Sequence, residues 1–212
     1  MPLKPYYDQD GITIYNADCR QFPSVDAAAM VFDPPYGIDY KSNHGSSAIP
    51  RSIANDKDTA VRDFVLNLWW DKPAIVFGSW KIPKPINTKM LLVWDTKGAL
   101  GMGDLSLPWK PSHQEIYVIG RGFKGKRTTD VLSFAPVQSM AKNGRLHPHQ
   151  KPLALLRELI SKCPEGPIYD PTMGVGSTLV AAKLEGRKAV GIEINEKYCE
   201  AAANRLAQGV LF

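Results

Sequence analysis

The stretch Ile168–Asn195, "IYDPTMGVGSTLVAAKLEGRKAVGIEIN", decides the fold. It reads as a strand, a glycine turn, a helix, a second strand and a terminal acid. Gly174 and Gly176 sit where the chain leaves the first strand and enters the helix. Missing β-carbons there let the backbone approach a ligand closely. Glu193 ends the second strand, 17 residues after Gly176. In a doubly wound sheet an acid at that place accepts hydrogen bonds from two ribose hydroxyls. A GxG turn alone is an ordinary turn; the full succession points to a cofactor that contains a nucleoside.

The third glycine of a G-x-G-x-x-G fingerprint is absent, because Leu179 stands there. A pyrophosphate site therefore fits less well than a phosphate-free adenosine. S-adenosylmethionine is the commonest cofactor of that kind.

Working outward, short apolar runs alternate with helical patterns, which is the signature of an α/β architecture. The strand candidates are 12–15, 30–32, 74–77, 90–94, 116–119, 168–169 and 189–192. The helical candidates are 59–70, 153–162, 177–185 and 196–207, with Gly186 as a C-terminal stop and Asn195 as an N-cap. Residues 78–89 and 95–113 read as irregular. Residues 121–146 have little periodicity and read as an insertion. Trp69, Trp70 and Trp94 read as core or pocket wall, while Trp80 is balanced between core and base stacking.

The chain has 212 residues, 44% of them hydrophobic and 22% charged, enough for one domain with a real core. No apolar run approaches the roughly 18 residues of a membrane helix. The first residues, "MPLKPYYDQDG", lack the apolar core of a signal peptide. Cys19, Cys163 and Cys199 are odd in number and scattered, so a disulfide framework is not expected and a reducing, cytoplasmic location is. The histidines show no metal-ligand spacing with them, and "HPH" at 147–149 reads as a bend, so no metal is expected. Net charge is +5. Arg121, Lys124, Lys126, Arg127, Lys142 and Arg145 stand against Asp130 alone between 121 and 145, so that segment's excess, six minus one, equals the whole chain's. A basic, glycine-containing loop suits phosphate contacts.

The second informative stretch is "MVFDPPYGIDY", Met30–Tyr40. An apparent strand runs into Asp33, Pro34, Pro35 and Tyr36. The prolines fix φ and remove two N–H donors. Asp33's carboxylate and Pro34's carbonyl are then two acceptors side by side, with an aromatic ring next to them. An exocyclic amine on a planar base offers two N–H donors and a π-face. Holding both protons favours pyramidalisation of a nitrogen whose lone pair is otherwise delocalised. As the nitrogen is methylated it turns acidic, and Asp33 accepts its proton. In a duplex the base must first be flipped out, where an exposed Tyr36 ring stacks on it.

These motifs resemble, over nearly the whole chain, the amino-methylating DNA methyltransferases (adenine N6 and cytosine N4). "DPPY" at 33–36 resembles their catalytic motif and "DPTMGVG" at 170–176 their cofactor loop. "HPHQKPLALLRELI" at 147–160 resembles the segment before that loop, and "NADC" at 16–19 the pre-catalytic stretch. "VFGSW" at 76–80 and "LLVWDTKG" at 91–98 resemble strands around the base pocket. Thr172 stands where the family usually has phenylalanine, His149 where a small hydroxyl residue is common, and Ala17 where glycine is usual.

The resemblance implies a single Rossmann-like domain over 1–212 with a mostly parallel, seven-stranded sheet. Because the catalytic motif precedes the cofactor loop, it implies the circularly permuted β subgroup. It implies Asp33, Pro34, Pro35 and Tyr36 as catalytic residues. For the S-adenosylmethionine site it implies Asp18, on the cofactor's adenine amine, with Lys151, Asp170, Pro171, Thr172, Gly174, Gly176, Ser177 and Glu193. Lys151 opens a helix expected to face the cofactor carboxylate. Double-stranded DNA is the implied partner, with 121–146 as a short basic target-recognition insertion. At about 26 residues that segment is too small for an independent domain. Relaxed specificity, or a homodimer whose second copy covers the rest of the DNA, would follow. Residues 40–58, rich in Ser, Gly and Asn, read as a second DNA-facing loop that orders on binding.

Adenine N6 is the first reading, and cytosine N4 the second, because the same two acceptors serve either amine. The Asp at 33 leans toward adenine, since the N4 enzymes more often carry Ser there. Cytosine C5 chemistry needs a Pro-Cys nucleophile that this chain does not have. RNA adenine methylation stays open, as does a catalytically silent binding homologue. Glutamine methylation of a protein fits poorly, because those enzymes have Asn before Pro-Pro-Tyr and the reverse motif order.

Overall fold

The computed structural model describes residues 4–22, 24–37, 56–98, 101–137 and 150–208. Their apolar runs form, in chain order, β1 (Tyr7–Gln9), β2 (Ile12–Asn16), β3 (Ala29–Phe32), α1 (Ala60–Trp69), β4 (Ala74–Gly78), β5 (Thr88–Asp95) and β6 (His113–Ile119). The remaining elements are β7 (Val131–Ser133), α2 (Leu153–Ser161), β8 (Ile168–Asp170), α3 (Ser177–Leu184), β9 (Ala189–Glu193) and α4 (Glu196–Ala207).

All nine strands join one sheet in the order β1-β2-β9-β8-β3-β4-β6-β5-β7. Parallel pairing links β2, β9, β8, β3 and β4 in succession. Only β1 and β6 run against the common direction. The fold class is the expected Rossmann-like methyltransferase sheet, mostly parallel, but with nine strands among the described residues instead of seven. The additional strands, β1 and β7, have three residues each, too few to display a two-residue alternation. The expected insertion therefore contributes to the sheet: Val131–Ser133 pair with Val93–Asp95 of β5, and Leu132 is buried. Residues 138–149, with Lys142, Arg145 and the His147–His149 stretch, lie outside the described residues, as do 40–55 of the expected DNA-facing loop.

β3 and β4 are buried at every position, as expected for central strands covered on both faces. Ala29, Val31, Ile75 and Phe77 face α2, α3 and α4, packing with Leu155, Leu159 and Leu179. Met30, Phe32 and Val76 face α1, packing with Val61, Val65 and Trp69. Each fully buried aliphatic or aromatic side chain of this kind contributes about 1.5–3 kcal/mol.

The helix ends follow the sequence signals. Asn195 accepts the Lys197 N–H at 3.1 Å as the N-cap of α4. At the end of α3, Gly186 has φ +66°. Its N–H donates to Lys183 and that of Arg187 to Ala182, at 3.0 and 2.8 Å. This pair of bonds is a Schellman stop and needs the left-handed residue. Trp69 and Trp94 are core residues whose indole N–H groups donate to the carbonyls of Pro73 and Phe134. Trp70 is not core: it follows the last residue of α1 and is 68% exposed.

Gly191 on β9 leaves the space into which the glycine loop packs. A β-carbon there would lie 2.5 Å from Met173 Sδ and 2.7 Å from Leu179 Cδ2. The G191A variant is expected to lose about 1–3 kcal/mol of unfolding free energy through overpacking. A urea midpoint equal to that of the parent would show that the loop yields without cost.

Candidate active site

Ligands of open parallel sheets sit beyond the carboxyl ends of the strands, where the order changes direction. Here four neighbouring strands each end in a residue expected at the site. β2 leads to Asp18, β9 ends in Glu193, β8 ends in Asp170 before the glycine loop, and β3 leads to Asp33. The catalytic corner and the cofactor loop, more than 130 residues apart in the chain, are adjacent because β8 pairs directly with β3. Together they line one cleft, open to solvent at its mouth.

At the corner, Asp33 is held from three sides. Its Oδ1 accepts the Tyr36 hydroxyl at 2.8 Å and its Oδ2 accepts Lys151 Nζ at 2.7 Å. Its backbone carbonyl accepts the Thr172 hydroxyl at 2.9 Å, which ties the glycine loop to the corner. Tyr36 is not the exposed ring that the sequence suggests: it is 8% exposed. Burial, with the Asp33 charge second, raises its pKa well above the usual phenol value, so the hydroxyl stays a donor. Gly37, with φ +72°, donates its N–H to Asp56 Oδ1 at 2.8 Å. A β-carbon at Gly37 would lie 2.6 Å from the Asp58 backbone, so the chain after the corner needs glycine.

The glycine loop is shaped by two carboxylates. Glu193 accepts the Gly174 N–H through Oε2 at 3.0 Å and the Asn195 N–H through Oε1 at 2.8 Å. Each of its oxygens keeps a second lone pair for a ligand hydroxyl. Burial raises its pKa. Asp170 accepts the Thr172 N–H at 3.1 Å and is 2% exposed. Gly176, at φ +74°, opens α3 where a β-carbon would lie 2.8 Å from Ala202 Cβ. The Ser177 hydroxyl accepts Arg205 Nη1 at 3.3 Å, so α4 as well as the cleft engages it. Pro171 lies on the cleft wall with Pro34 and Pro35.

Asp18 accepts the Arg20 backbone N–H at 2.9 Å and is paired with the Arg20 guanidinium. That side-chain bond holds its pKa below the usual carboxylate value. Sequence reasoning missed Arg20, and it missed Asp56, whose only signal is a polar run ahead of α1. It also placed Lys151 on the cofactor, whereas its ammonium rests on Asp33. The structure does not bring the described part of the basic cluster, Arg121, Lys124, Lys126 and Arg127, to this edge. Ile119 pairs with Ala74 at the amino end of β4, so the chain leaves β6 on the far side of the sheet. Arg121, Lys124, Lys126 and Arg127 follow there, with the Lys124 N–H bonded to the Lys162 carbonyl at 2.8 Å.

The polar groups fit S-adenosylmethionine. Among the described residues, Asp18, Asp33, Asp170 and Glu193 line the cleft against a single ammonium, Lys151, itself paired with Asp33. Among those residues a pyrophosphate would find no unpaired cation on this wall. A cationic sulfonium with two ribose hydroxyls suits it.

Burial pushes Asp170 up to about 7, against about 3.9 for a free side chain. The folded form therefore binds a proton that the unfolded chain has shed. Asp170 favours folding most below about pH 4, and that contribution disappears as pH rises through about 7. Unfolding free energy is expected to fall between about pH 4 and about pH 7, and in D170N this slope should flatten. An unchanged slope in urea titrations of D170N would assign the pH dependence to another group.

Residues 67–204 match the family model described as DNA methylase, of the N6 and N4 methyltransferases. The chain is 28% identical over 205 residues to the putative methylase YubD of Escherichia coli K12, covering 88% of this chain and 84% of that protein. It is 42% identical over 88 residues to the type II methyltransferase M.ScaI of Streptomyces caespitosus, covering 39% of this chain and only 29% of the relative. The PvuII DNA methyltransferase, described as cytosine-N4-specific, superposes with a TM-score of 0.74 at 14% identity, over 100% of this chain and 92% of that one. With the family model spanning the region from α1 to α4, the chain belongs to the N6/N4 family of DNA methylases.

Proposed function

We propose that this protein methylates an exocyclic amine of DNA, adenine N6 in the first place, using S-adenosylmethionine. The observation that carries the reading is the tie between the Asp33 corner and the glycine loop through Thr172, which puts amine acceptors beside the donor cleft. Bound S-adenosylmethionine supplies an electrophilic methyl group on a sulfonium. The chain's own residues do the rest. Asp33 and the Pro34 carbonyl accept the two amine protons and orient the nitrogen, and positioning of this kind supplies much of the acceleration. As the nitrogen gains its methyl group it becomes acidic, and Asp33 takes up the proton that it sheds. Asp33 rather than Ser at this position favours adenine over cytosine N4 as the target.

The target base is flipped into the cleft from a duplex lying across the carboxyl edge of the sheet. Trp80 and Lys81 follow β4 at that edge, and the β5–β6 connection carries Trp109 and Lys110 there. Trp80 and Trp109 are 70% and 78% exposed. An aromatic beside a cation suits base and phosphate contacts. The Arg121–Arg127 cations reach only DNA that extends past the far edge, or DNA held by a second copy of the chain.

Tritium transfer from labelled donor to unmethylated duplex DNA, followed by digestion to nucleosides, is expected to yield N6-methyladenine. N4-methylcytosine would move the assignment to the second reading, and transfer to RNA alone would end the DNA reading. K81Q and K110Q are each expected to lower the salt slope of DNA binding by about one, the loss of one phosphate contact. K124Q and K126Q are expected to leave it unchanged; the reverse pattern would place the duplex on the far edge.

A further inference from the structure

Lys151 stands two residues ahead of α2 on the cleft wall, 5% exposed. Its ammonium lies 2.7 Å from Asp33 Oδ2, 3.3 Å from the Tyr36 hydroxyl, and over the rings of Phe77 and Tyr36 at 4.7 and 5.7 Å from their centroids. A buried cation needs a counter-charge, and one held in a box of rings has little freedom to leave it. Asp33 needs the cation equally. Because β8 pairs with β3, the Asp33 and Asp170 carboxyls stand at the ends of neighbouring strands, and the Asp33 charge acts on Asp170. A carboxylate so placed opposes the ionisation of Asp170. Tyr36 adds a neutral donor on Oδ1 but no charge.

Resting on the amine-methylating reading above, we propose that Lys151 is a positioning residue for the amine acceptor. It fixes the Asp33 carboxylate through Oδ2, offsets its charge, and acts on methyl transfer through Asp33 and not as a ligand of the methyl donor. Each carboxylate oxygen can accept a second hydrogen bond, so the carboxylate still receives one amine N–H while Tyr36 and Lys151 hold it in place. The proton that leaves the methylated nitrogen passes to the carboxylate. The segment that carries Lys151 thereby couples the start of α2 to the chemistry on β3.

A double-mutant cycle tests this with the full-length chain. Single-turnover methyl transfer at saturating donor and DNA is measured for the parent, D33A, K151M and D33A/K151M. Binding of S-adenosylhomocysteine to the DNA-free protein is measured by calorimetry. K151M is expected to slow transfer by about 10- to 100-fold when Asp33 is present and by less than about twofold in the D33A background, because groups acting as a unit are non-additive. Affinity for S-adenosylhomocysteine should stay within about threefold. A K151M effect of equal size in both backgrounds overturns the proposal, as does a tenfold loss of donor affinity with the saturated rate intact. If K151M does not fold, K151R serves in its place: the charge is kept and its geometry changed, with the same expected dependence on Asp33. Should D33A alone transfer at the parental rate, the amine-acceptor function of the corner fails first; a slow D33A with additive K151M sinks only the role given to Lys151.

Discussion

The arrangement depends on one strand pairing. Ala29 and Met30 of β3 lie alongside Ile168 and Tyr169 of β8, and everything with chemical function follows from that contact. It places the chain leaving β3, with Asp33, beside the chain leaving β8, with the glycine loop. The Thr172–Asp33 hydrogen bond then fixes the two loops against each other. A parallel pair of strands from opposite halves of the chain needs a long crossover, which here contains α1, the β4–β7 edge and α2. The catalytic corner therefore precedes the cofactor loop in the chain and lies beside it in space.

The same pairing concentrates charge. Four carboxyl groups converge on one cleft, and each is answered differently. Asp18 is paired with Arg20, Asp33 with Lys151, Glu193 with two backbone N–H groups, and Asp170 by holding its proton to about pH 7. Burial makes an unanswered carboxylate costly, so these partners belong to the fold as much as to the chemistry. Such a wall favours a cationic donor over an anionic one, which agrees with the missing third glycine at Leu179.

Much of this was legible in the sequence because it rests on local signals. The helix stop at Gly186, the cap at Asn195 and the strand–turn–helix–strand–acid succession are short-range patterns with direct physical causes. What escaped was long-range or very short. β1 and β7 are below the length at which alternation can be seen. The partner of Lys151 is 118 residues away, and a Lys-Pro pair before a helix does not announce a carboxylate on another strand. The basic residues 121–127 show a different limit: charge counting found them, but the side of the sheet they occupy is set by β6 running antiparallel to β4. Tyr36 reads as an exposed ring in the sequence, whereas its hydroxyl turns in to Asp33.

The most direct test of the central claim is a crystal structure of the chain with S-adenosylhomocysteine. The ribose hydroxyls are expected on the Glu193 carboxylate, the amino-acid end against the glycine loop, and the sulfur turned toward the Asp33 corner with Lys151 still on Asp33. A ligand bound elsewhere, or one whose sulfur faces away from Asp33, would contradict the account.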